Sequence, residues 1–147
     1  MKWVLKSFEE LSISELYEVI RLRIDVFVVE QECPYHELDG LDQKAFHLMG
    51  YKDGELVAYS RLFNSGIAAS EASIGRVIVK KNTRGEGTGQ ALLTEAIRQM
   101  EETLGEKTII ISAQSYLERF YQSFQFETVS NVYDMDGLPH IDMIRKK

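Results

Sequence analysis

The sequence contains a single cysteine, Cys33, only two prolines, and no apolar run long enough to cross a membrane. One cysteine excludes an internal disulfide and a metal site built from several thiolates, and it favours a reducing compartment. The N-terminal residues lack the apolar centre of a secretory signal peptide. These absences predict a cytoplasmic protein that does not associate with a membrane.

Positive charge is also scarce. The 147 residues carry 17 Lys and Arg against 23 Asp and Glu, which gives a formal net charge of −6. Nucleic-acid-binding domains present a basic surface, so a nucleic-acid partner is not expected. The length is sufficient for one substantial core, and no linker or repeat divides the chain, which predicts a single domain over residues 1–147.

Apolar periodicity and turn residues predict a mixed α/β sheet with helices covering its faces. A capping box of Ser12 and Glu15 opens the first helix, and an Asp53-Gly54 pair marks a hairpin. The first helix is predicted to bury Leu16, Ile20, Ile24 and Phe27. The further helices are predicted over 89–103 and 115–124. The predicted strands cover 2–7, 46–51, 55–63, 72–79, 108–111, 127–134 and 140–145.

The most informative segment is rich in glycine and runs Arg84-Gly85-Glu86-Gly87-Thr88-Gly89. It lies between a predicted strand that ends at Val79 and a predicted helix. Glycines let backbone N–H groups converge without a Cβ in the way, and a helix N-terminus adds free N–H donors and a positive dipole end. This order predicts a site for an anion such as a pyrophosphate.

Two better-known phosphate motifs fit this segment poorly. A Walker A loop ends in Gly-Lys-Ser/Thr, whereas Gly87-Thr88-Gly89-Gln90 contains no lysine. A Rossmann fingerprint has a different glycine spacing and follows the first strand of a larger parallel sheet. An ordinary turn that uses glycines for tight geometry is the structural alternative, and another kind of nucleotide site is a more distant one.

The segment resembles the motif Arg/Gln-x-x-Gly-x-Gly/Ala of the GNAT superfamily of N-acetyltransferases, which Arg84, Gly87 and Gly89 match in order. Downstream, Ala113-Gln114 followed by Phe120-Tyr121 resembles the family's strand–helix segment. Residues 26–35, 39–42 and 137–143 look like the ElaA-type branch, so the resemblance covers nearly the whole chain. Gln125 stands where the family often has glycine, which predicts a different turn there.

The resemblance implies a mostly antiparallel, twisted sheet with a central parallel strand pair and helices on both faces. It also implies acetyl-CoA as co-substrate. The residues that it assigns to acetyl-CoA are Val77, Ile78, Val79, Arg84, Gly85, Glu86, Gly87, Thr88, Gly89 and Gln114.

Amine acetylation needs a base for the ammonium proton, donors for the tetrahedral oxyanion and an acid for the departing thiolate. The resemblance implies Tyr121 as the acid and a backbone N–H of the 77–79 strand as the oxyanion donor. Glu30 and His47 are the first candidates for the base. Partial burial is expected to raise the pKa of Glu30, and a nearby carboxylate that of His47. The other candidates are Asp39, Asp42 and His140.

The resulting hypothesis is an acetyl-CoA-dependent N-acetyltransferase that acts on a primary amine of a small molecule or a protein, by direct attack in a ternary complex. A non-catalytic module that binds CoA or acetyl-CoA for regulation is the alternative, because the phosphate cradle predicted at residues 84–89 would serve either function. The acidic segment 30–42 is either an acceptor mouth that attracts cationic amines or an ordinary solvated loop. No metal-ligand spacing is recognisable, so no metal is expected, and the family resemblance makes a homodimer an expectation.

Overall fold

The computed structural model describes all 147 residues. The helices are α1 (Ile13–Ile24), α2 (Thr88–Glu102) and α3 (Glu118–Gln122). The strands are β1 (Lys2–Ser7), β2 (Phe46–Lys52), β3 (Glu55–Phe63), β4 (Ala72–Val79), β5 (Thr108–Gln114), β6 (Glu127–Thr128), β7 (Tyr133–Met135) and β8 (Leu138–Lys146). A π-helical turn, Asp25–Glu30, continues α1, and short 3-10 turns cover Asp42–Lys44, Lys81–Thr83 and Ser115–Leu117.

All eight strands belong to one sheet, in the order β1-β2-β3-β4-β5-β8-β6, with β7 paired to β8. Every pairing is antiparallel except β4 with β5. This confirms the predicted mixed sheet with a single parallel pair.

The two longer helices cover opposite faces of the sheet. Leu48 on β2 belongs to the core cluster that contains the buried side chains of α2, whereas its neighbour Met49 belongs to the cluster of α1. Ala58 and Tyr59 divide in the same way on β3. Since successive strand residues point to opposite faces, α1 and α2 lie on either side of the sheet.

The predicted capping box is present at the start of α1. The Glu15 N–H donates to Ser12 Oγ at 3.0 Å, and the Ser12 N–H donates to Glu15 Oε1 at 2.8 Å. The predicted buried face is wrong, because the four predicted side chains are only half-buried. The fully buried residues of α1 and its π turn are Val19, Leu22, Arg23 and Val26. An apolar-only pattern cannot include an arginine, so it selected the edge of this face.

Two elements and one turn also differ from expectation. The predicted helix over 115–124 begins with a 3-10 turn, and α3 itself has five residues. The predicted strand over 127–134 is interrupted near Ser130, whose Oγ accepts the Asp142 N–H at 2.8 Å in place of a strand carbonyl. Gln125 adopts a φ of +70°, so the turn after α3 takes a glycine-like conformation, contrary to the expected change.

Candidate functional site

The parallel strands β4 and β5 separate along their length. They pair only at Ala72 with Ile109 and at Ser73 with Ile110. Beyond these pairs, the rest of β4 and residues 111–114 of β5 line the same cavity. The edge of β4 that faces β5 is therefore open, and its backbone groups are available to a ligand.

A β-bulge lies in the open part of β4. Gly75 pairs with Arg61 and Ile78 with Tyr59, so β4 has one residue more than β3 over this stretch. Arg76 carries the strain, with a φ of +49°. A bulge leaves a residue out of the ladder and redirects neighbouring backbone groups, here beside the groove.

The glycine-rich loop forms the predicted cradle. Gly85 and Gly87 have φ of +85° and +80°, in the left-handed region that favours glycine, and the space around both is open. Gly87 is the N-cap of α2, and no side chain caps this helix. The first helical backbone bond runs from the Ala91 N–H to the Gly87 carbonyl at 3.1 Å. The preceding N–H groups of the first turn are free for an anion.

The gap between β4 and β5 and the cradle open into one groove of about 1080 Å³, just above the usual range of ligand-site volumes, roughly 300–1,000 Å³. Nine of the ten residues assigned to acetyl-CoA line it; the exception is Glu86. The Glu86 carboxylate points instead to Lys52, at 3.3 Å on the surface. Gln114 lies at the end of β5, where its Nε2 is 3.4 Å from Gln31 Oε1.

Tyr121 also lines the groove, from the short helix α3. Its ring packs edge-on against Phe120 and Phe126, with centroids 5.3 and 6.0 Å away. The side chain is buried, but its hydroxyl has no hydrogen-bond partner in the chain and is not sealed from solvent. Burial, with a smaller contribution from Tyr116, raises the pKa of Tyr121 above its usual value, so the phenol stays protonated.

The structure does not bury Glu30 as expected. The residue is exposed, and its carboxylate binds Arg84 through two bonds, at 2.5 and 3.0 Å. Arg84 also donates to the Val79 carbonyl at 2.9 Å. The apolar run before Glu30 lies on the π turn, and the carboxylate turns away from it toward the cradle. Glu30 is therefore an ionic partner of Arg84.

The expectation for His47 is wrong in its sign. Burial lowers the pKa of His47, which outweighs the opposing effect of Asp42. Nε2 lies 3.0 Å from the Asp42 carbonyl oxygen and Nδ1 lies 2.6 Å from the Tyr59 hydroxyl. The ring is fully buried and does not line the groove. A neutral ring that donates from Nε2 and accepts at Nδ1 satisfies both contacts, so His47 has a structural role.

A network of buried ion pairs lies behind one wall of the groove, and sequence reasoning missed it. Asp42 Oδ1 accepts from Arg23 at 2.7 Å and from Arg61 at 2.9 Å. Glu37 Oε2 accepts from Arg23 at 2.7 Å and from Arg76 at 2.8 Å. The signal in the sequence was an arginine inside the apolar pattern of α1 and another inside that of β3.

The expectation of an acidic acceptor mouth is wrong because its carboxylates are paired with arginines. Asp39 binds Arg61 through both oxygens, at 2.9 and 2.8 Å. Burial opposes the ionisation of Asp39, but the Arg61 hydrogen bonds outweigh it and lower its pKa to about 2. Of the carboxylates in segment 30–42, only Glu32 has no arginine partner. Arginines from other parts of the chain therefore neutralise the acidic segment.

These features fit one kind of ligand. Free N–H groups at the start of α2 suit a pyrophosphate, and the open edge of β4 suits a chain that carries amide groups. A cradle for phosphates that continues into an open strand edge is the donor site expected of a protein that binds an acyl-CoA.

Comparison with known proteins agrees with this class. A family model described as an acetyltransferase (GNAT) domain matches residues 14–147. Protein ElaA of Escherichia coli (strain K12) is 43% identical over 99% of this chain and 97% of its own. The crystal structure of Escherichia coli ElaA has a TM-score of 0.92 over 99% of both chains. An acyl-CoA N-acyltransferase from Pseudomonas aeruginosa has the same TM-score, 39% identity and the same coverage of both chains.

The chain therefore belongs to the GNAT acetyltransferase family, as an acyl-CoA-dependent acyltransferase. The resemblance found in the sequence is confirmed. No helix combines the length and the apolar composition that crossing a bilayer requires, and no group of three or more His, Cys, Asp or Glu side chains is arranged to hold a metal ion.

Proposed function

We propose that the protein transfers an acetyl group from acetyl-CoA to a primary amine, of a small molecule or a protein, by direct attack in a ternary complex. One observation carries the proposal: the cradle, the open edge of β4 and the Tyr121 hydroxyl border a single groove. A donor and an acceptor held side by side in one groove need no covalent enzyme intermediate.

The donor would lie along the groove from its phosphates to its thioester. Its pyrophosphate binds the free N–H groups that follow Gly87, beside the Arg84 guanidinium that Glu30 orients. Its amides pair with the 77–79 segment of β4 and with Gln114. The bulge at Arg76 supports a backbone N–H near Val77 as the donor to the thioester oxyanion, because such groups are fixed before the reaction.

Tyr121 is proposed as the acid that protonates the departing thiolate. Two observations support this role: its hydroxyl is free of partners in the chain, and burial raises its pKa so that it remains a proton donor. The hydroxyl borders the same groove as the open edge of β4.

The donor site is tested first, by thermal unfolding with and without acetyl-CoA. Acetyl-CoA at about 100 times its dissociation constant adds ~2.7 kcal/mol to the free energy of unfolding. For a chain of this length, the midpoint should rise by roughly 5–10 °C. ATP and NADH serve as controls, and a rise with ATP alone contradicts the donor assignment.

Two glycines at opposite ends of α2 give a matched pair of variants. Gly87 and Gly105 have φ of +80° and +69°, and the space around both is open. Replacing either by alanine should cost about 1–2 kcal/mol of stability. Only Gly87→Ala should weaken acetyl-CoA binding, by about 10-fold, because Gly87 lines the groove and Gly105 does not. Equal affinity in the two variants would contradict the cradle.

Catalysis is tested by release of CoA thiol when a panel of primary amines is added to the protein and acetyl-CoA. Amine-dependent release supports the transferase. A protein that is stabilised by acetyl-CoA but releases no CoA with any amine would instead be a CoA-binding module.

A further inference from the structure

His140 lines the groove and has one ring nitrogen that no group of the chain uses. It lies on β8, lines the groove and is 8% exposed. Its Nδ1 is 2.8 Å from the Leu138 carbonyl oxygen, which can only accept a hydrogen bond. Nδ1 therefore carries the proton, and the neutral ring keeps its lone pair on Nε2. Nε2 has no partner in the chain and is not sealed from solvent.

The surroundings of His140 hold the ring in place. Tyr133 is its partner on β7, and the two rings stack with centroids 6.2 Å apart. Asp142 lies on the same face of β8 as His140, but its carboxylate accepts a hydrogen bond from the Tyr133 hydroxyl at 2.6 Å and makes none with His140. Gln114, opposite on β5, does not titrate. Asp136, in the turn before β8, is the other carboxylate that lines this end of the groove.

The other candidates for the base are engaged. Two carboxylates bind arginines through both oxygens, one shares a single oxygen between two buried arginines, and the buried histidine uses both ring nitrogens; these are Glu30, Asp39, Asp42 and His47. His36 also lines the groove, but it is exposed on a loop. His140 alone combines a fixed ring with a free acceptor atom.

We propose that His140 is the general base that deprotonates the acceptor amine, an inference that rests on the proposed amine acetylation. A lysine-like ammonium has a pKa of about 10.4, so roughly one molecule in 2,500 is neutral at pH 7. An imidazole nitrogen with an unused lone pair is a group that can accept this proton. Such an acceptor at the groove supplies the neutral nucleophile that attack requires.

The protons and bonds balance in four events. Nε2 of His140 takes one proton from the ammonium and later releases it to solvent. The amine nitrogen attacks the thioester carbonyl, and the C–N bond forms. The tetrahedral intermediate collapses with cleavage of the C–S bond, and Tyr121 protonates the thiolate. The second proton of the attacking nitrogen then restores the Tyr121 phenol, which leaves the amide, free CoA thiol and one proton in solution.

The test compares two acceptors. One is the alkylamine with which the protein releases CoA fastest, and the other is its β-trifluoro analogue, which is already largely neutral at pH 7 and therefore needs no base. His140→Gln should lower kcat/KM for the alkylamine by about 10²-fold or more, and that for the fluorinated amine by less than about 10-fold. The loss with the alkylamine should shrink as the pH rises. His36→Gln should show no such difference between the two amines.

If His140 has a purely structural role, His140→Gln should lower kcat/KM for both amines by the same factor, and that result overturns the proposal. The proposal is also overturned if His36→Gln, and not His140→Gln, lowers kcat/KM for the alkylamine more than for the fluorinated amine. Long-range ¹H–¹⁵N spectra of the imidazoles give a second reading without any acceptor, and a proton on Nε2 of His140 in the neutral ring also overturns it. If the wild-type protein releases no CoA with any amine, the proposed transferase function is refuted. If the wild-type protein releases CoA but His140→Gln affects both amines alike, only the role of His140 as the base is refuted.

Discussion

Removal of the Tyr121 hydroxyl separates a chemical role from a packing role. In Tyr121→Phe the ring keeps its edge-on contacts with Phe120 and Phe126. The lost hydroxyl has no partner in the chain, so the free energy of unfolding should change by less than about 0.5 kcal/mol. A proton donor contributes about 10²–10⁴-fold to a rate, so kcat should fall by that factor, or ~2.7–5.4 kcal/mol in the barrier.

The assay is CoA thiol release at saturating acetyl-CoA, with urea unfolding and acetyl-CoA affinity measured on the same protein. Tyr51→Phe is the matched control, because Tyr51 is a half-buried tyrosine outside the groove that packs against the α1 cluster. It should retain full activity. Because burial raises the pKa of Tyr121, the wild-type rate should show no loss from this group below about pH 10.

Retention of more than about one third of the wild-type kcat in folded Tyr121→Phe would refute the acid role, since it falls far short of the smallest general-acid contribution. A fall in kcat accompanied by a matching loss of acetyl-CoA affinity would refute it as well. That pattern belongs to a side chain that shapes the donor site.

Three further predictions concern the stability of the fold. Asp42→Asn should cost about 3–5 kcal/mol in urea unfolding because it removes the negative charge that two buried arginines share. Glu55→Gln, in the exposed pair with Lys80, should cost less than about 1 kcal/mol. Burial opposes ionisation of Asp39 and Asp42, but arginine hydrogen bonds outweigh it and lower both pKa values. The stabilisation from Asp39, whose pKa is lowered to about 2, should be complete above about pH 4 and lost as the pH falls through 2, so a flat profile of urea midpoints would contradict this pairing. Gln125→Gly should raise the melting temperature by roughly 2–4 °C, because it relieves a left-handed side chain, while Ser123→Gly, in a right-handed turn, should lower it.

The parts of the site that depend on local chemistry were predictable from the sequence. Positive φ at Gly85 and Gly87 and a free helix start follow from residues that are adjacent in the chain. The hairpin at Asp53 and Gly54, both with positive φ, has the same local origin.

The parts that failed depend on distant partners. Glu30 meets Arg84 across 54 positions, and Arg61 meets Asp39 across 22. A periodicity of apolar residues treats every arginine as exposed, so it cannot anticipate Arg23 at 0% exposure. For the same reason, the sequence could not show that arginines from other parts of the chain compensate the carboxylates of the acidic segment 30–42.

The narrow junction between β4 and β5 would make a bound donor part of the architecture. Two residue pairs join the half of the sheet that carries β1 to β4 to the half that carries β5 to β8. An acyl-CoA bound as proposed, with its amides between the open edges, would act as a short extra strand between the halves. The amount of folded protein would then depend by mass action on the supply of that donor, and the lifetime of the protein would follow the acyl-CoA pool.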